Sequence, residues 1–110
     1  MDIDVSGSSV FAHTGGKAFD PSQPVLLLIH GAGTDHTFWG LQTRYFAHHG
    51  FSVLAVDLPG HGRSDGPPLA TIDDCADWVW RVIDAVGAER ALLAGHSMGS
   101  LIALAAAAKQ

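Results

Sequence analysis

The sequence predicts an α/β domain, a mostly parallel sheet flanked by helices and entered through an N-terminal hairpin. Three observations carry that prediction. The runs Val25–Ile29, Ser52–Val56 and residues 91–94 are almost wholly apolar without alternation, as in strands covered on both faces. Each run ends in a glycine-bearing turn, and a stretch with helical spacing follows. The runs start about 25–40 residues apart, the interval of crossover units. Right-handed crossovers then put helices on both faces of the sheet, with all three glycine-rich turns at one end of it. In such sheets ligands bind beyond the carboxyl ends of the strands.

Taken in order, residues 3–13 alternate loosely (Ile3, Val5, then Val10 and Ala12) around Ser6-Gly7-Ser8-Ser9, which predicts two short strands in a hairpin at a sheet edge. Thr14-Gly15-Gly16 and Asp20-Pro21-Ser22-Gln23-Pro24 make a loop before the first buried run. That run ends in His30-Gly31-Ala32-Gly33. Phe38, Trp39, Leu41, Gln42, Tyr45, Phe46 and His49 have helical spacing, with Gly50 as the stop. The second run leads into residues 57–68, where Gly60, Gly62 and Gly66 with Pro59, Pro67 and Pro68 forbid regular structure. Thr71 before Asp73 and Asp74 reads as an N-cap with first-turn acids. Ile72, Cys75, Ala76, Val79, Val82, Ile83 and Val86 fall on one helical stripe, and Gly87 ends it. The third run passes through Gly95-His96-Ser97-Met98-Gly99 into the Ala-rich residues 101–108.

Composition narrows the function classes. In 110 residues, 47% apolar and 15% charged content favours one globular domain over disorder. Six basic residues without a cluster, and a net charge of −5, give nucleic-acid binding little electrostatic support. The lone cysteine, Cys75, suits a reducing compartment. Acidic residues at the start, no apolar leader and no apolar run of membrane length lead to the expectation of a cytoplasmic protein with no membrane partner.

Strand, G-x-S-x-G, helix is the pattern of a nucleophile elbow, in which glycines on either side of a serine let strand and helix approach a strained turn. With His30-Gly31-Ala32-Gly33 and Asp57-Leu58-Pro59-Gly60-His61-Gly62-Arg63-Ser64 in the same order, and Trp39 at the first helix, the chain resembles the α/β-hydrolase superfamily, serine-nucleophile type. The resemblance implies a strand order of 1-2-4-3-5 and a single partial domain over residues 1–110, without the C-terminal strands and lid. It implies that Ser97 is the nucleophile in ester, thioester or amide hydrolysis of a small acyl substrate. The backbone N–H groups of Met98 and Ala32 then form the oxyanion hole, and no cofactor or metal is expected. The same family places the triad acid and histidine after the serine, and residues 98–110 contain no Asp, Glu or His. Either the chain is the front part of a longer hydrolase or an upstream group substitutes. The alternative of another class is a non-catalytic binding or assembly module. A serine at position 97 argues against dehalogenase and epoxide-hydrolase chemistry and leaves peptidase, thioesterase, C–C hydrolase and perhydrolase chemistry open.

Other polar residues have structural readings. His96 is expected to point away from Ser97, and His30 and His61 to bond loop backbone. His36 borders the pocket and is a candidate substrate contact. His48 and His49 close a helix on the surface, and His13 carries no signal. Asp57, Arg63 and Asp65 are expected to order their loop, Cys75 to pack in the core, and Trp78 or Trp80 to cover a neighbouring element. The third strand is expected at an open sheet edge, through which the isolated chain self-associates.

Overall fold

A computed structural model describes residues 1–109. The strands are β1 (Asp2–Val5), β2 (Ser8–His13), β3 (Val25–Ile29), β4 (Ser52–Val56) and β5 (Ala91–Gly95). The helices are α1 (Gly40–Ala47), α2 (Ile72–Ala85) and α3 (Met98–Ala107), with a 3-10 turn at His36–Trp39 before α1. The sheet order is β1-β2-β4-β3-β5, as the family resemblance implies. The sheet is mixed: β1/β2 and β2/β4 run antiparallel, while β4/β3 and β3/β5 run parallel.

The hairpin closes over two residues, Ser6 (φ 53°) and Gly7 (φ 87°), the left-handed pair that matches the twist of its strands. Ser8 and Ser9, expected in the turn, instead belong to β2 and pair with Val5 and Asp4. Along β3 and β4 alternate residues serve two cores. Leu27, Ile29, Leu54 and Val56 pack with Val79, Val82, Ile83 and Ile102 of α2 and α3. Leu26, Leu28, Val53 and Ala55 pack with Ala47 of α1, covered by Trp39, Phe46 and Phe51. This is why the two runs show no alternation.

Thr71 caps α2 by accepting the Asp74 N–H at 3.0 Å, and Asp73 and Asp74 sit in its first turn. Each fully buried Val or Ile on its inner stripe contributes about 1.5–3 kcal/mol. Trp78 is buried, whereas the half-buried Trp80 donates its indole N–H to the Ala106 carbonyl at 2.8 Å and ties α2 to α3. Cys75 lies in the same core; burial, then the charge of Asp74, pushes its thiol up.

One boundary differs from expectation. The helical segment opens with the 3-10 turn because the Asp35 carboxylate accepts both the N–H (2.9 Å) and the hydroxyl (2.5 Å) of Thr37. At the far end His48 and His49 donate Nδ1–H to the carbonyls of Arg44 and Tyr45, which also accept the His48 backbone N–H.

Among the described residues β5 pairs with β3 alone, so its other edge is open. Leu92 (57%), Leu101 (56%) and Leu104 (70%) are exposed beside it. No helix among the described residues is long and apolar enough to cross a membrane.

Candidate active site

The turn between β5 and α3 is built on two close approaches. A Cβ on Gly95 would overlap the Gly99 carbonyl, and one on Gly99 would overlap the carbonyls of Ile29 and His30. With neither Cβ present, α3 starts directly against the end of β3, and His96 N–H donates to the Ile29 carbonyl at 3.1 Å. Ser97, at the apex, has φ 57° and ψ −122° and is exposed. Such a conformation costs a residue with a side chain about 1–3 kcal/mol. The chain holds it with the Ser100 N–H and hydroxyl, which donate to the Ser97 carbonyl at 2.9 and 2.6 Å.

The parallel register aligns the strand ends, Ile29 level with Val56 on one side and with Gly95 on the other. The loop after β3 therefore passes beside the serine. A Cβ on Gly31 would stand 3.3 Å from Ser97 Cβ and 3.8 Å from its Oγ. Ala32 follows on the exposed side of that loop. Met98 is the first residue of α3, so its N–H has no carbonyl one turn earlier. Met98 thus follows Ser97 directly, and Ala32 follows Gly31, whose backbone lies against Ser97.

Asp57 orders the loop after β4, as expected. Its fully buried carboxylate accepts the His36 N–H (2.7 Å), the His36 Nδ1–H (3.0 Å) and the Arg63 N–H (2.9 Å). Gly62 is required there, since a Cβ would overlap that carboxylate. Ser64 donates its hydroxyl to the Asp57 carbonyl and accepts the Phe11 N–H, fastening the loop to β2. Arg63 lies over the Phe11 ring at 4.7 Å, a contact no sequence signal announces.

His36, a candidate substrate contact, has its ring Nδ1 engaged by Asp57 and stacks near His13 at 5.8 Å. The Asp-x-Thr signal at Asp35 was the available clue that the turn starts here. Asp35, His36 and Asp57 bring ligand-type atoms within 4.8 Å of one another, a grouping that spacing did not suggest. The Asp57 oxygens in it accept the hydrogen bonds just described.

The remaining histidines are committed elsewhere. His96 stacks on Phe38 at 4.3 Å. His30, fully buried, accepts the Leu58 N–H at Nε2 (3.0 Å) and donates Nδ1–H to the Gly31 carbonyl (2.6 Å). His61 accepts the Gly33 N–H at Nε2 (3.2 Å) and donates Nδ1–H to the Pro59 carbonyl (3.1 Å). Among the described residues no histidine hydrogen-bonds Ser97 Oγ.

Burial holds His30 below the ordinary 6.5, against the upward pull of the Gly31 carbonyl. The unfolded chain therefore takes up a proton near pH 6.5 that the folded chain refuses. Stability is full above that value, falls as pH drops through it, and levels off below the lowered native value. His13, lowered by partial burial and by His36, acts with the same sign. Urea midpoints should decline from about pH 7.5 to about pH 5.5, and His30→Gln should flatten the decline. Identical slopes in the two proteins would remove His30 from this account.

A family model described as alpha/beta hydrolase fold matches residues 24–110. The (E)-2-((N-methylformamido)methylene)succinate hydrolase of Acinetobacter baylyi is 42% identical over 78 residues, covering 70% of this chain and 29% of that protein. A dihydrolipoyllysine-residue acetyltransferase component of the acetoin cleaving system of Cupriavidus necator is 41% identical over 103 residues, covering 91% and 26%. Among solved structures, the enol-lactonase of Burkholderia xenovorans superposes with a TM-score of 0.83 at 29% identity, covering 99% of this chain and 42% of that one. The chain thus spans less than a third of the length of these curated relatives.

Proposed function

The chain belongs to the α/β-hydrolase family, and from that premise we propose that it carries the nucleophile and oxyanion hole of a serine acyl hydrolase. Its substrate is a small carboxylic ester, thioester or amide. The observation that carries the reading is Ser97 itself, exposed in a positive-φ turn between strand and helix with Gly31 against it. Ser97 Oγ attacks the carbonyl carbon while its proton passes to a base, and the carbonyl oxygen becomes an oxyanion. The Met98 and Ala32 N–H groups receive that charge; losing one such donor typically raises the barrier by about 3–4 kcal/mol. The acyl–heteroatom bond then breaks, the leaving group takes the proton, and water releases the acyl group from Ser97. Relatives named for hydrolase, acetyltransferase and lactonase activity support acyl chemistry as the shared element.

Residues 98–110 include no His to serve as that base. Chemical rescue tests the reading. A fluorophosphonate probe should label Ser97, added imidazole should accelerate labelling, and Ser97→Ala should reduce it to background. No Ser97-dependent labelling with imidazole present would overturn the assignment and favour a non-catalytic binding module.

The partner of the chain in isolation is a second copy, joined at the open β5 edge. Unpaired strand backbone flanked by Leu92 and Leu104 favours that pairing. Sedimentation should show concentration-dependent association, and Leu92→Lys with Leu104→Lys should yield monomer. A wild-type chain that sediments as monomer at every concentration would refute it.

A further inference from the structure

The loop after β3, which lies against Ser97, is joined to the loop after β4 by a reciprocal pair of histidines. His30, on the loop after β3, accepts the Leu58 N–H from the loop after β4. His61, on the loop after β4, accepts the Gly33 N–H from the loop after β3. The rings stand 5.1 Å apart. Because each Nε2 faces an N–H, each must be an unprotonated acceptor, and the proton of each ring lies on Nδ1.

These bonds grip both peptide groups of Ala32. The Gly31 carbonyl, which receives His30 Nδ1–H, shares a planar unit with the Ala32 N–H. Fixing that carbonyl fixes the direction of the N–H on the opposite side of the plane. The Gly33 N–H, which donates to His61, belongs to the next unit and holds the other flank. Gly33 has φ 75° and nothing near its missing Cβ, and its N–H is tied to His61 at the exposed end of the turn.

We propose that His61, closing the pair with His30, is a positioning residue that aims the Ala32 N–H at the oxyanion formed on Ser97. This rests on the acyl-hydrolase reading. His61 touches no reacting atom and acts through the backbone of the facing loop.

Two substitutions separate this role from a local one. His61→Gln can present an acceptor near the position of Nε2 and so keep the Gly33 bond. His61→Asn reaches only to the position of Nδ1 and so keeps the Pro59 contact while losing Gly33. The first readout is the amide spectrum of the whole chain by NMR. The Gly33 and Ala32 amide signals should move, and Gly33 hydrogen exchange accelerate, in His61→Asn and not in His61→Gln. The second readout is phenylboronic acid, whose adduct with a serine is tetrahedral and anionic. Its affinity should fall about ten- to hundredfold in His61→Asn, as expected when a transition-state donor is misaimed, and stay near wild type in His61→Gln. Equal affinity in wild type and His61→Asn, or an equal loss in both variants, would overturn the proposal. Boronate binding that persists in Ser97→Ala would instead overturn the acyl-hydrolase reading. The amide spectra then decide the loop assignment alone, and unmoved Gly33 and Ala32 signals in His61→Asn refute it.

Discussion

Gly99→Ala is expected to lower the stability of the chain by about 3 kcal/mol or more, beyond the range of ordinary substitutions. The added Cβ would overlap the Ile29 and His30 carbonyls, backbone at the end of the central strand that has no rotamer to move into. Relief requires α3 to back away from β3, which opens the turn at Ser97 and uncovers Ile102. Gly40→Ala is the matched control. Gly40 has helical φ and ψ (−51°, −43°) and no atom near the new methyl, so it should gain up to about 1 kcal/mol. Tryptophan-monitored urea unfolding compares the two, and equal stabilities would show that the close approach is not needed.

Asp57→Ala is expected to cost about 3–5 kcal/mol, the usual loss when one member of a buried charged network is removed. It leaves the His36 N–H, the His36 ring N–H and the Arg63 N–H without the acceptor that the buried Asp57 carboxylate supplies. Asp57→Asn keeps one carbonyl oxygen and should lose less. The same unfolding measurement ranks the three proteins. A Asp57→Ala protein as stable as wild type would mean that the loop after β4 is ordered by Ser64 and Arg63 instead.

The parts legible in the sequence are those fixed by local chemistry or by burial on both sides. Val25–Ile29 and Ser52–Val56 could be read as strands because both faces are covered, and Thr71 because a hydroxyl before two acids has few other uses. The elbow was legible because Gly95 and Gly99 are demanded by backbone contacts on either side of Ser97. What escaped depends on contacts between distant segments. The partner of His36 is Asp57, on another loop, and pocket-border position alone suggested a substrate role for it. The reach of His61 to Gly33 and of Arg63 to Phe11 likewise follows from strand order rather than local pattern. The start of the 3-10 turn was recoverable, since Asp35 and Thr37 form a local side-chain turn that helical spacing does not count.

The position of β3 between β4 and β5 also constrains the order in which the chain can assemble. Val25 pairs with Ser52 and, much further along the chain, with Ala91. The first pairing closes a short crossover, whereas the second must wait for α2 and the whole loop before it, at a greater cost in chain entropy. During synthesis from the N-terminus, the β5-facing edge of β3 is therefore the last central edge to be protected. Until β5 emerges, the most apolar strand of the sheet stands half-paired.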